Sequence, residues 1–329
     1  DFEVCVNHYP EIPIIVPVDG DGKLTEEAGE FCGLTTNDAN KAILTKLTEL
    51  NALFAVEKII HQYPHCWRCK SPIIFRATEQ WFCSIDKIKP QLLDEIDNQI
   101  KWHNDFGQKR MHNMIADRGD WCISRQRLWG VPIPIIYCED GSPIMDMEVF
   151  EHIADLFEQH GSNIWFESEA KDLLPDGYVN EKSPNGLFTK EKDIMDVWFD
   201  SGSSWNELSA RGYDYPCDLY FEGSDQYRGW FNSSLIVSTA VNGTAPYKEV
   251  LSHGYVCDSK GEKMSKSVGN VVNPMDIINK NGADVFRLWA MTSDFKEDLK
   301  LGPSNIKQVS DQYRKVRNTF RFLLGNLNP

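Results

Sequence analysis

Lys263-Met264-Ser265-Lys266-Ser267 places two lysines around a small hydroxyl residue, shortly after His253-Gly254-Tyr255-Val256 and next to Gly261. A lysine ammonium is a compact point charge suited to phosphate oxygens. Two of them on a mobile loop can follow a polyphosphate as charge develops and a leaving group departs. Three further clusters could do chemistry: Asp196-Val197-Trp198-Phe199-Asp200-Ser201-Gly202, Glu222-Gly223-Ser224-Asp225-Gln226-Tyr227-Arg228-Gly229-Trp230, and Cys66-Trp67-Arg68-Cys69. A carboxylate at a strand end can hold an ammonium group or a pair of ribose hydroxyls, and a glycine beside it lets backbone approach a ligand closely. Tryptophans can wall an apolar pocket. On these residues alone two readings stand open: a ligand site, or core tryptophans with carboxylates that cap helices. The Cys-X-X-Cys pair has zinc-knuckle spacing but supplies two of the four ligands a structural zinc takes.

These clusters need elements to carry them. Leu219-Tyr220-Phe221 reads as a short strand, 226–241 as a helix and 250–256 as another strand. Strand–helix–strand alternation implies a parallel sheet. In such sheets ligands lie at the carboxyl ends of strands. That rule places the Glu222 segment and the Lys263 loop on one rim. Upstream, short apolar runs broken by Asp19-Gly20-Asp21-Gly22 read as strands and a turn over 1–40. Helical spacing of Ile43, Leu47, Leu50 and Phe54 predicts a helix from Ala39 to about Lys58. A second helix is expected over 92–110, a buried strand over 133–138 and an amphipathic helix over 146–159. The stretch 160–195 is turn-rich, and a last helix over 305–324 carries Lys307, Arg314, Lys315, Arg317 and Arg321.

Composition narrows the class. The 329 residues are 41% hydrophobic and 25% charged, with a formal net charge of −15. Such acidity argues against a general nucleic-acid coat, though a local basic patch suffices for phosphate contacts. No apolar run approaches the roughly 18 residues that a membrane span needs. Nine cysteines form no small disulfide framework, so a reducing compartment, the cytoplasm, is the default.

Taken with Asp117-Arg118-Gly119-Asp120-Trp121-Cys122-Ile123-Ser124-Arg125-Gln126-Arg127-Leu128-Trp129-Gly130-Val131-Pro132, the clusters resemble, in this order, the class I aminoacyl-tRNA synthetases and within them the isoleucyl family. The resemblance covers nearly the whole chain. It implies an α/β fold: the C-terminal half of a Rossmann-type nucleotide-binding domain with inserted modules. Before that domain it implies the end of a β-rich editing domain over 1–40 and a cysteine-bearing connector over 41–90. The catalytic half would occupy 91–300, with an insertion over about 139–195, and an α-helical anticodon-binding bundle would start at 301–329.

The resemblance also implies roles. Lys263, Ser265 and Lys266 would serve catalysis, with both lysines on ATP phosphates. Glu222, Gly223, Asp225 and Gln226 would contact the aminoacyl-adenylate, and His253, Gly254, Val256 and Met264 would frame the adenosine. Trp198, Gln226 and Trp230 would shape an isoleucine pocket. Arg118, Asp120 and Arg125 are polar members of their motif, with structural pairing as open as substrate contact. Asp1 matches the end of an editing motif. Cys66 and Cys69 would join a second cysteine pair on one zinc. The reaction implied is ATP- and Mg2+-dependent activation of isoleucine and its transfer to tRNA(Ile), by a monomer. Editing of mischarged valine would follow because one methylene gives modest selectivity, a limit for which the isoleucyl enzyme is the usual illustration. No His-X-Gly-His stands in the sequence. The expectation is therefore a fragment lacking the front of the nucleotide fold and inactive by itself. The rival reading is a non-catalytic, synthetase-derived RNA-binding or assembly module, which would have no chemical need for both lysines.

Overall fold

The computed structural model describes the chain apart from Asp1, Ile14, Trp67, Arg68, Ser267, Asn328 and Pro329, and apart from the side chains of Phe2 and Glu3. The chain divides into two compact units, 1–80 and 81–329.

Among the described residues of the first unit the strands expected over 1–40 do not form. The described residues there make a helix at Phe2–His8, a 3-10 turn at Glu26–Phe31, and only isolated bridges, Val18 with Leu24 and Lys23 with Thr35. Pro10, Pro13 and Pro17 each remove a ladder donor. The Asp-Gly turn is present, because Asp19 Oδ1 accepts the amides of Asp21 and Lys23 at 2.9 Å each. The next helix runs Thr36–Glu49, capped where Thr35 Oγ1 accepts the Asp38 amide. It stops nine residues short of Lys58. Asn51 takes a left-handed conformation (φ 55°), which ends helical propagation, and Phe54 is fully exposed.

The second unit holds the sheet. Strand Tyr247–His253 lies between Cys217–Gly223 and Lys101–Trp102, and both pairings are parallel. Helix Trp230–Asn242 is buried nearly all round. Phe231 to Thr239 are all buried, as expected of a helix pressed into a core rather than laid on a surface. It ends at Gly243 in the left-handed conformation that favours glycine at helix C-termini. Its core partners include Leu92, Ile96, Met111, Ile115, Tyr227 and Tyr247.

The single helix expected over 92–110 is instead four pieces: helix Lys89–Asp94, a π-helical turn Glu95–Gln99, strand Lys101–Trp102, and helix Gly107–Ala116. Pairing of Lys101 with Glu249 and of Trp102 with Val250 overrides the helical spacing. The expected strand over 133–138 shrinks to Ile136–Tyr137, paired with Thr189–Lys190. Pro132 and Pro134 cannot donate to a longer ladder.

Two smaller cores complete this unit. Helix Met147–His160 buries Val149 and Ile153 against Ile136, Trp165 and Leu173, and so gives this stretch a core of its own. Helices Pro274–Asn281, Ala283–Thr292 and Pro303–Leu327 gather Ile277, Val285, Trp289, Ile306 and Val309. Among the described residues no helix is long and apolar enough to cross a membrane.

Candidate active site

The site begins where two parallel strands end together. Glu222 pairs in register with Ser252 and Gly223 with His253, so the Glu-Gly and His-Gly dipeptides leave the sheet side by side. A Cβ on Gly223 would meet Asp225 Oδ1 at 2.6 Å and His253 Cε1 at 3.5 Å, so the absence of a side chain there is what admits both. At Gly254 a Cβ would fall 2.2 Å from the Glu297 carbonyl oxygen, a backbone atom that cannot swing aside. His253 turns its Nδ1 to the Gly254 carbonyl at 2.8 Å and sets its ring edge-on to Phe221. The strand end is pinned from below by Asn104, which is buried. Its Oδ1 accepts the Ser252 amide at 2.8 Å, and its Nδ2 donates to the Ser252 carbonyl at 3.0 Å.

Trp198, Gln226 and Trp230 converge. Gln226 Oε1 accepts the Trp230 amide at 2.8 Å, which bridges the break between the 3-10 turn Ser224–Arg228 and helix Trp230–Asn242. A Cβ on Gly229 would sit 2.3 Å from Gln226 Oε1 and 2.9 Å from the Trp198 ring. Trp230 donates its Nε1 to the Ser201 carbonyl at 3.0 Å and stacks on Tyr220 with centroids 3.9 Å apart. Trp198 stays 42% exposed, so its ring is a wall open on one side. Behind it Asp196 is buried, accepts Trp121 Nε1 at 3.0 Å and pairs with Arg125 at 2.9 Å. Burial, and then the charge of Asp196, raises the carboxyl pKa of neighbouring Asp200.

Arg118, Asp120 and Arg125 of the 117–132 motif each have partners within the fold. Asp120 accepts the Ile85 amide at 3.3 Å. Arg118 lies over Trp121, and burial pulls its guanidinium pKa down. The Arg125 guanidinium also donates to the carbonyls of Cys122 and Ser124.

The lysine loop leaves strand Val256–Cys257, which pairs in parallel with Leu299–Lys300. Val256 is exposed at the loop root and Met264 is half-buried. Lys263 and Lys266 are exposed, with the Lys263 ammonium 5.0 Å from the Tyr255 ring centre. Among the described residues neither Glu222 nor Lys266 engages a side-chain partner. Ser265 Oγ accepts the Val268 amide at 3.2 Å, which tightens the turn. A cavity of about 780 Å³ opens behind the loop, lined in part by Asp258, Asn270, Ile277, Leu301 and Ile306. None of Glu222, Gln226 or Trp230 lines it.

Two further sites were expected in the first unit. Asp1 is outside the described residues. Cys66 and Cys69 stand on a tight turn of the first unit. There the Lys70 amide donates to the Cys66 carbonyl and the Cys66 amide to the Ser71 carbonyl, both at 2.8 Å. Lys70 takes a left-handed conformation (φ 63°). Hydrogen bonds from Ser71, backbone first, pull the Cys69 thiol down to about 7. Among the described residues no group of three or more His, Cys, Asp or Glu side chains is placed to hold a metal ion. The turn therefore offers two sulfur donors, half of a tetrahedral set. Asn104, Asp258 and Asn270 were not singled out in the sequence. For Asn270 the one signal is the Val268-Gly269-Asn270 turn pattern after the basic run.

The family model for tRNA synthetases class I (I, L, M and V) matches residues 4–302. An isoleucine–tRNA ligase of Geobacillus thermodenitrificans is 59% identical over 318 residues, which are 96% of this chain and 34% of that protein. The isoleucine–tRNA ligase of Bacillus subtilis is 57% identical over the same length, again 96% and 34%. Among solved structures, the methionyl-tRNA synthetase of Mycobacterium tuberculosis in complex with methionyl-adenylate is 18% identical, with a TM-score of 0.48, over 76% of this chain and 41% of that one. The chain spans about a third of the length of the curated relatives it matches. With that match over nearly its whole length, the chain belongs to the class I tRNA synthetases of the I, L, M and V group.

Proposed function

We propose that this chain carries the adenylate-forming rim of an isoleucine–tRNA ligase. The observation that carries the reading is the adjacency of Glu222-Gly223 and His253-Gly254 at paired parallel strand ends, with Lys263 and Lys266 on the loop that follows. Isoleucine would present a carboxylate oxygen to the α-phosphorus of ATP; the new P–O bond forms as the bond to pyrophosphate breaks. A hydroxyl of the tRNA 3′ end would then attack the acyl carbon and release AMP. Glu222, Gly223, Asp225 and Gln226 would hold the adenylate, with the Glu222 carboxylate free to receive hydroxyl or ammonium donors. His253, Gly254, Val256 and Met264 would frame the adenosine, and Trp198, Gln226 and Trp230 would wall the isoleucine side chain. Lys263 and Lys266 would neutralise phosphate charge as it develops, beside the Mg2+ that accompanies ATP. Catalysis of this kind is positioning plus electrostatic stabilisation. Identity of 55–59% to isoleucine–tRNA ligases supports isoleucine over the other substrates of the group.

The Cys66–Cys69 turn would hold zinc only with two further donors from elsewhere in a longer protein.

The test is isoleucine-dependent ATP–pyrophosphate exchange by the intact synthetase carrying this sequence. Lys266→Ala should slow exchange by on the order of 100-fold, the loss expected for one transition-state charge contact. Near-normal exchange would remove the phosphate assignment. Exchange driven by leucine or valine in preference to isoleucine would remove the substrate.

A further inference from the structure

Two lysines can meet a phosphate repeatedly only if the backbone that carries them follows one path. Between Asp258 and Asn270 the described residues include neither helix nor strand, and the one ladder contact is the bridge of Cys257 with Lys263. A side-chain amide supplies the rest. Asn270 Oδ1 accepts the Ser265 amide at 2.9 Å, and its Nδ2 donates to the Lys263 carbonyl at 3.2 Å. A neighbouring parallel strand makes the same pair of bonds, to the carbonyl before a residue and the amide after it. Here the residue so embraced is Met264. The Asn270 carboxamide, with donor and acceptor on one plane, stands in for the N–H and C=O of one residue of a strand that is not there.

The second proton of that amide goes to Asp258 Oδ2 at 3.1 Å. Asp258 Oδ1 meanwhile accepts the amides of Lys260 and Glu262 at 2.9 Å each. Those donors, the Glu262 amide first and then Asn270, hold the Asp258 carboxyl below its ordinary value. Asp258 therefore fixes the start of the loop, and Asn270 ties that fixed point to the lysine-bearing segment. Two sequels follow the amide: Gly269 donates to the Ser265 carbonyl at 3.0 Å, and the Val272 amide points to Met264 Sδ at 3.4 Å.

We propose that Asn270 is a positioning residue of the lysine loop: its carboxamide, anchored on Asp258, sets the backbone of Lys263–Ser265 and so the pose from which Lys263 and Lys266 reach phosphate. This rests on the adenylate-forming reading above. Asn270 itself touches no reacting atom.

The experiment compares Asn270→Asp, Asn270→Ala, Asp258→Asn and Lys266→Ala in the intact synthetase carrying this sequence. Asn270→Asp keeps size and the acceptor for Ser265, but it loses both donated bonds and sets a carboxylate against Asp258. Asp258→Asn puts an amide against an amide. For all three brace variants the kcat of pyrophosphate exchange should fall about 10- to 100-fold, as for a misplaced catalytic group, with the isoleucine KM nearly unchanged. Limited trypsin digestion without ATP should cut after Lys260, Lys263 and Lys266 several-fold faster, roughly in step with local opening, while other sites keep their rates. A general loss of fold would speed every cut, and Asp258→Asn separates the brace from any defect peculiar to position 270. If Lys266→Ala slows exchange while the brace variants exchange and digest like the unmodified enzyme, the inference is overturned and the phosphate reading survives. If Lys266→Ala leaves exchange intact, the phosphate reading itself falls.

Discussion

Cys69 shows how far one residue's chemistry is set by its turn. Its thiol is exposed, yet hydrogen bonds from Ser71 favour the thiolate and bring it to about 7 from the ordinary 9.0. A depressed value means that the linked stabilisation is full above 9.0 and is lost as pH falls through about 7. Iodoacetamide labelling followed by peptide mass analysis should show Cys69 alkylation half-maximal near pH 7. Ser71→Ala should move that midpoint upward only partly, because the backbone donor remains. A midpoint near 9 in the unmodified protein would refute the assignment. The Cys-X-X-Cys spacing was legible in the sequence, but the pull of Ser71 needed the left-handed Lys70 that folds the chain back. The same holds for Asn270, since a polar residue after Gly269 reads as turn until Asp258 and Ser265 are seen around it. Trp198, Gln226 and Trp230 were grouped through the resemblance alone, and the structure brings the three side chains around Gly229. Asp196 stood in the same motif as Trp198, yet its hold on Trp121 and Arg125 joins segments some seventy residues apart, beyond the reach of local pattern.

Elements were legible where packing agreed with local spacing and illegible where it did not. Met147–His160 keeps a helical stripe because Val149 and Ile153 meet their own small core. The 92–110 stretch has comparable spacing, but strand Tyr247–His253 recruits Lys101 and Trp102 as a parallel edge, and the helix breaks there. Close helix packing gives an element-scale prediction. Helix Val197–Gly202 lies so near helix Trp230–Asn242 that a Cβ on Gly202 would stand 2.9 Å from the Ser233 carbonyl oxygen and 3.2 Å from its Cβ. Backbone cannot move aside without shifting a helix whose residues 231–239 are all buried. Gly202→Ala should therefore cost about 1–3 kcal/mol, the usual range for overpacking. Calorimetry should show the melting temperature lowered by several degrees, and exchange should weaken as Trp198, on the same short helix, is displaced. An unchanged melting temperature would mean that the two helices part more easily than this geometry allows.

At the scale of the whole molecule, the two units differ in what holds them. Residues 81–329 carry three apolar clusters, the first of them containing Leu92, Ile96, Phe231, Leu235 and Val250 at full burial. In residues 1–80 the sole fully buried hydrophobic among those described is Ala39. Apolar burial is the main favourable term in folding, so the first unit has little of its own to resist opening. Its stretch from 52 to 80 shows no helix or strand among the described residues, only the bridge of His65 with Pro72. Phe54 and Phe75 stand there with exposures of 104% and 80%. Brief chymotrypsin treatment should therefore cut first after these residues. It should then degrade the peptide before them and leave a resistant product that starts near Phe75 and retains the sheet. Trimming at exposed Phe320 and Phe322 should accompany it without loss of the core. Mass spectrometry of a digestion time course reads the order directly. Removal of 1–80 at the same pace as 81–329 would show that the first unit draws stability from contacts other than its own apolar residues. A first cut within 217–253 would show that the sheet, for all its burial, opens before the segment ahead of it.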